Sequence, residues 1–314
     1  MADVTRSPEG ARRRGIWSSP MARQEAFACY LCIAPWILGF LIFTLVPMLA
    51  SLYMGFTDWS LTRVPRWVGI DNYARIVSGD PIFWRTLRNT AYYVVGHVPL
   101  QLLLAFVVAL LLNNPIRGIS AYRAVFYLPS VFSGVAVALM WSWIFNPNVG
   151  FINQALGFFG IRGPGWIFDE DWAMPSLILM SLWPLGGPMV IFLAGLQGIP
   201  THLYEAAEVE GANWWQRLRH VTVPLMSPVL FFNLVISMIG SFQVFERAYV
   251  MTSGGPNYAT MVYVLYLYQN AFQSFRMGYA SALAWILFLI IMAFTFVQFR
   301  LGRSWVFYEG TGKR

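Results

Sequence analysis

Few side chains in this 314-residue chain are placed for covalent or redox chemistry. Cys29-x-x-Cys32 has the spacing of a redox pair, but it lies in an apolar run without the flanking fold or the extra His and Cys ligands that such chemistry needs; two packed thiols account for it. The tail Gly310-Thr311-Gly312-Lys313 has the cast of a phosphate loop, yet Phe307 stands at the first required glycine position and Arg314 replaces the Ser or Thr. His97, His202 and His220 are scattered, and no HExxH or paired-carboxylate pattern accompanies them. The expectation is a chain with no catalytic residue, no metal and no bound cofactor of its own.

What remains is recognition. Asn233, Ser237 and Ser241 recur every four residues, which places them on one helical face inside an apolar run. Polar groups buried in a membrane need partners or water, so this ladder would line a path by hydrogen bonding to hydroxyl groups. Ser and Asn bonding across helices as packing contacts explains each residue taken singly. Trp183, on a segment interrupted by Pro184, Gly186 and Gly187, would stack on a ring-shaped ligand; a lone aromatic also faces lipid or packs. Glu246-Arg247, near the end of the same run as the ladder, reads as interfacial or bonded to a neighbour rather than as a proton relay.

The polar stretch from 200 to 223 carries Glu205-Ala206-Ala207-x-x-x-Gly211. Pro200-Thr201 is a start signal, with Thr201 expected to cap a short helix from about His202 to Glu210 that Gly211 ends. Small residues beside acidic ones give a flat face open to close approach by a second protein. A second helix with Trp214, Trp215 and Leu218 is expected to pack back on the first. An ordinary hairpin between two spans explains this segment equally well.

The elements that hold these residues are membrane spans. Hydrophobic residues make up 58% of the chain and charged ones 11%, about half the charge of a soluble domain. Residues 280 to 297 contain no charge, and runs of about 18 such residues read as spans. Five others fall near 26–56, 90–112, 124–145, 174–196 and 224–245. Internal prolines at Pro35, Pro47, Pro99, Pro129, Pro184, Pro188 and Pro228 are tolerable where neighbouring helices satisfy the freed carbonyls. The fold expected is all-α: a polytopic membrane helix bundle with six transmembrane helices.

Of the 21 basic residues, 13 flank one side, including Arg12–Arg14, Arg117, Arg123, Arg217, Arg219, Arg300 and Arg303, against 8 opposite. This excess puts both termini in the cytoplasm. The net charge of +7 belongs to these flanks, facing anionic membrane lipid, and nothing in it calls for nucleic acid. The run after Arg12–Arg14 is too long for a cleaved leader and reads as a retained first span. The organisation is a tail over 1–25, a membrane domain over 26–302 and a tail over 303–314.

The segment around Glu205 also reads Gly195-Leu196-Gln197-x-Ile199-Pro200 before it, Glu210-Gly211-Ala212-x-x-Trp215 within it and Thr222-x-Pro224 after it. That order resembles the EAA loop of permease subunits of binding-protein-dependent ABC importers. Gly69-Ile70-x-Asn72-Tyr73, Asn89-Thr90, Arg123 to Pro129, Gly254-Gly255-Pro256 and Gly278-Tyr279-Ala280 extend the resemblance over about 26–302, towards the carbohydrate-uptake branch. Glu210 stands where sugar-type members usually have Asp, and Val223 where they have Leu.

The resemblance implies a type I ABC importer permease fold and one half of a translocation pathway in a bacterial or archaeal cytoplasmic membrane. It implies ATPase coupling through Glu205, Ala206, Ala207 and Gly211, and a substrate pathway that includes the fifth span. The implied partners are a sister permease, two ATPase subunits that bind ATP and Mg, an extracytoplasmic solute-binding protein and a carbohydrate substrate. The alternative is an ion-gradient-driven secondary transporter, which would call for an ionisable residue at mid-membrane.

Overall fold

The structure, a computed structural model, describes residues 20–60 and 64–307. Arg12 to Arg14, Arg63, the Gly310 to Lys313 motif and most of both tails lie outside the described residues. Among the described residues the secondary structure is helical, apart from one bridge pairing Thr57 with Trp67. Two compact units form, divided between Met54 and Gly55.

In the first, α1 (Pro20–Phe40) runs through a π turn (Leu41–Leu45) into α2 (Val46–Gly55). Arg23–Gly55 is a 33-residue apolar helix, long enough to cross a membrane. Cys29 and Cys32 lie exposed on it as free thiols.

The second unit begins with α3 (Asp71–Gly79) and is organised around α4 (Pro81–Leu112). The second span thus starts well before the expected Thr90. Asp80 caps it, accepting from the amides of Ile82 at 2.9 Å and Phe83 at 3.2 Å, and Pro81 fits the first helical position because its missing N–H is an orphan there in any case. Hydropathy overlooked this Asp-Pro start because Arg85 and Arg88 follow it.

The third and fourth spans are broken rather than continuous. α5 (Ile119–Tyr127) ends in a 3₁₀ turn at Leu128–Ser130, and α6 (Gly134–Ile144) leaves at 91°. Pro129 lacks an amide donor, and Ser133 is extended with ψ 133°. After α7 (Phe151–Phe158), α8 (Glu170–Ser181) and α9 (Gly186–Gln197) bend by 45° across Leu182-Trp183-Pro184-Leu185. Counting each bent pair as one span gives six.

α10 (Thr201–Val209) and α11 (Trp214–Arg217) form the polar hairpin, and α11 passes through a π turn (Leu218–Thr222) into α12 (Val223–Phe242). Short α13 (Glu246–Thr252) and α14 (Tyr263–Tyr268) precede α15 (Met277–Trp305). Ala105, Ala109 and Leu112 of α4 pack with Met189, Phe192 and Leu196 of α9 and Met226 of α12. Further along α4, Phe83, Val94 and Val98 pack with Phe242, Tyr263 and Leu283.

Loops at one end are stapled by side-chain amides and hydroxyls. Asn72 donates to the carbonyls of Gly55 and Thr57, Asn89 to those of Tyr258 and Met261, and Thr90 Oγ1 accepts from the Tyr263 amide. Asp80 Oδ2 accepts from both Tyr266 and Tyr279, joining α4, α14 and α15. Burial first, and then the bond to Asp80, pushes the Tyr266 hydroxyl up to about 12, so it remains a donor at any ordinary pH. At the other end lie the hairpin and Phe307, whose amide donates to Ser227.

Candidate functional site

Two features stand out in the second unit: a polar cavity, and the hairpin joined to its wall. The cavity, of about 460 Å³, is lined from α4 by Tyr93, His97 and Gln101, from α12 by Ser237 and Ser241, and from the start of α13 by Arg247. Tyr93, His97 and Gln101 stand four residues apart, so they share a face of α4 opposite the serine face of α12. The expected ladder on one helix is therefore met by a second on its neighbour.

Tyr93, His97, Ser241 and Arg247 are tied into the wall by hydrogen bonds. His97 Nδ1 lies 3.0 Å from Ser241 Oγ, and His97 Nε2 lies 3.3 Å from the Ser181 carbonyl. Tyr93 stacks on the His97 ring at 5.1 Å, donates to Ser181 Oγ at 2.7 Å and accepts from Arg247 Nη1 at 3.2 Å. These bonds hold the imidazole and phenol in fixed positions, which is how a preorganised polar surface is made. Phe245 supplies an aromatic face at the cavity, stacked on Tyr249 at 5.3 Å.

The four expected pathway residues divide. Ser237 and Ser241 line the cavity. Asn233, 2% exposed, donates instead to the Val229 carbonyl of its own helix. Trp183 packs edge-on to Trp141 at 6.3 Å, against the cluster of Val137, Phe145 and Met180, and does not line the cavity. It sits in the break between α8 and α9, where the chain turns its ring towards α6. Glu246 rests against α6: a methyl on Gly134 would meet its Oε2 at 2.5 Å.

The hairpin keeps its expected helix with a different start. Thr201 is the first helical residue rather than the cap; Pro200 takes the cap position with ψ 129° and offers no side-chain acceptor. Gly211 ends the helix at φ +81°, where the Gly211 amide donates to the Glu208 carbonyl and the Ala212 amide to the Ala207 carbonyl, both at 2.9 Å. This pair of bonds needs a left-handed residue, a conformation that costs glycine nothing.

Asn213 then starts α11 with a capping box to Gln216. Trp214 and Trp215 do not pack back as expected; they stand 61% and 62% exposed. Tyr204 takes that part, bonding Thr222 Oγ1 at 3.1 Å and packing on the α4–α9 core, and Glu208 pairs with Arg217. Glu205 and Ala206 are exposed and Ala207 half-buried, so the acidic and alanine face is open.

The hairpin and cavity share one helix: Trp214–Phe242 is continuous for 29 residues, with the exposed tryptophans at one end and Ser241 at the other. Up to six apolar spans, an open polar hairpin and a polar cavity are the parts of a polytopic membrane transport subunit. Residues 101–306 match the family described as binding-protein-dependent transport system inner membrane component, and the chain belongs to that family.

A probable ABC transporter permease protein of Bacillus subtilis, YesP, is 45% identical over 291 residues, covering 91% of this chain and 94% of that protein. The lactose transport system permease protein LacF of Rhizobium radiobacter is 33% identical, covering 88% and 94%. Among solved structures, a chain of a bacterial ABC transporter that imports the acidic polysaccharide alginate shares the fold with a TM-score of 0.78 at 24% identity, covering 90% and 96%.

Proposed function

We propose that this chain forms one half of the translocation pathway of an ATP-driven importer of a carbohydrate or related polyol. The observation that carries the reading is the single helix Trp214–Phe242, which begins in an exposed hairpin and ends in the wall of a hydroxyl-, amide- and aromatic-lined cavity. Serine hydroxyls and Gln101 offer donors and acceptors of the kind that sugar hydroxyls use, and Phe245 offers a face for a pyranose ring. The likeness to a lactose permease supports the same substrate class.

In this reading Glu205, Ala206, Ala207 and Gly211 present α10 to an ATPase subunit. ATP and Mg bind between two such subunits, and their closure carries α10 and the attached helix, opening the cavity outward to a docked solute-binding protein. Hydrolysis resets it. A sister permease supplies the other half of the pathway, and both termini of this chain face the cytoplasm. Family membership supports ATP as the driving force over an ion gradient.

The test is purification from the native membrane in mild detergent with mass-spectrometric identification of co-purifying chains, followed by uptake in proteoliposomes. Recovery of a sister permease, an ATPase and a binding protein, with ATP-dependent uptake of a carbohydrate, is the expected result. Recovery of this chain alone, competent for gradient-driven uptake, would overturn it.

A further inference from the structure

The cavity carries a cation that forms no ion pair with any carboxylate of the described residues. Arg247 lines it, half-buried, and its guanidinium has one protein hydrogen bond among the described residues, to the neutral Tyr93 hydroxyl at 3.2 Å. Among the described residues no carboxylate lies within 4.0 Å of it; the ion pairs found are Arg85–Glu170 and Arg217–Glu208, both elsewhere. Glu246, its neighbour in sequence and also on the cavity lining, is turned against Gly134 at the first turn of α6, where the helix dipole favours a negative charge. His97, the remaining titratable group in this part of the wall, is already engaged by Ser241 and the Ser181 carbonyl.

An arginine has five N–H donors and keeps its charge at every accessible pH. Placed in a pathway through a membrane, an unpaired one is unfavourable unless something compensates it, and apolar or neutral polar residues would serve a neutral ligand at lower cost. Its planar fork matches an oxyanion, and the Tyr93 bond orients that fork. Resting on the reading of the cavity as a carbohydrate pathway, we propose that Arg247 is the specificity-determining residue for an anionic carbohydrate. The substrate carries a carboxylate, as a uronic acid does, or a phosphate, and the acidic group pairs with Arg247 while Ser237, Ser241 and Gln101 receive the hydroxyls.

The experiment uses the complete transporter in proteoliposomes with saturating binding protein. Three ligands of similar size are compared: a disaccharide with one hexuronic acid, its neutral hexose counterpart and a hexose phosphate. Wild type, Arg247→Gln and Arg247→Lys are each checked for assembly by co-purification of the partner subunits. Direct binding of the same ligands to the permease–ATPase complex without binding protein separates the cavity's own choice from that of the binding protein.

The expected result is that wild type takes up and binds an acidic ligand at least tenfold better than the neutral one, that Gln removes this preference, and that Lys restores part of it. Preference for the uronate disaccharide over the phosphate identifies a carboxylate as the anion, and the reverse identifies a phosphate. Equal handling of neutral and acidic ligands by wild type, or a preference unchanged in an assembled Gln variant, overturns the proposal. Uptake of the neutral sugar alone would do so while leaving the carbohydrate reading intact, whereas failure with every carbohydrate would remove that reading instead.

Discussion

Replacing Gly211 probes whether the backbone of the hairpin matters to coupling. Its φ of +81° lies in the left-handed region, and nothing stands within 4 Å of where a β-carbon would be. The penalty for a side chain is therefore intrinsic to the backbone, about 1–2 kcal/mol for an alanine and more for a β-branched residue. The chain can relieve that strain by giving up the Gly211-to-Glu208 and Ala212-to-Ala207 bonds, which are worth about 0.5–1.5 kcal/mol each. Either route lowers the population of the ordered hairpin by a factor of roughly 5–30. Asparagine tolerates the left-handed region and serves as the control.

Two readouts follow from this. Hydrogen exchange at the Ala212 amide should quicken in the order Gly, Asn, Ala, Val, and the ratio of uptake to ATP hydrolysis in proteoliposomes should fall in the same order. A valine variant whose Ala212 amide exchanges as slowly as wild type would refute the backbone argument. Faster exchange with an unchanged uptake ratio would show that hairpin order is irrelevant to coupling.

Glu205→Lys should leave the protein in the membrane, because the side chain is exposed, but should reduce co-purification of the ATPase and abolish ATP-dependent uptake; normal uptake would remove Glu205 from the coupling surface. Ser237→Val with Ser241→Val should raise KM for the carbohydrate, and the second change leaves His97 Nδ1 without its partner at a cost of about 1–3 kcal/mol, readable as a lower unfolding temperature in detergent. Asp80→Ala removes both the α4 cap and the acceptor of two tyrosine hydroxyls, a loss of about 2–4 kcal/mol in denaturation, while Asp80→Asn should recover part of it. Gly186→Val should destabilise by about 1–3 kcal/mol, since even a methyl at that position would lie 3.0 Å from Tyr127 Cα and closer still to Ser130 Oγ; an unchanged unfolding temperature would contradict so close a packing of α9 on the 128–130 turn.

Much of this architecture was legible because hydropathy and turn chemistry are local. The apolar runs fall on four long apolar helices and two bent pairs, and Gly211 marks the end of its helix. The bends of the third and fourth spans were less legible: Pro129 and Pro184 signal a break, but a proline inside an apolar run looks the same whether the helix runs on through it, as at Pro99 within α4, or turns by 91°. Asn72, Asn89 and Thr90 stood out as parts of a motif; only the fold gives them a physical task, holding backbone carbonyls and amides of distant loops.

The cavity was half legible. Four-residue spacing found Ser237 and Ser241, and the same rule applied to the second span would have found Tyr93, His97 and Gln101. Asn233 fits the same four-residue spacing and Trp183 the same chemistry by type, yet the fold engages both elsewhere: a carbonyl of its own helix takes Asn233 and an aromatic cluster takes Trp183. Arg247 could not be separated from Glu246 in the sequence, because only the fold shows that the two side chains have different surroundings.

The π turn at Leu218–Thr222, where the Val223 amide reaches back five residues to the Leu218 carbonyl, inserts one extra residue into an otherwise α-helical rod. One residue is about 100° of helical phase but only about 1.5 Å of length. The tryptophan end and the serine end of the rod are therefore set at an angle that an unbroken α-helix would not give. Deleting a single residue between 218 and 222 would restore the regular winding with the hairpin and the serines at nearly their present mutual angle, because the turn already absorbs that residue; rewinding the turn into α-helix with no residue removed would instead swing the hairpin by about 100° about the rod axis while the serines keep facing the cavity. The rod can thus be rephased almost without being shortened, so the direction in which the hairpin faces is open to adjustment separately from its reach.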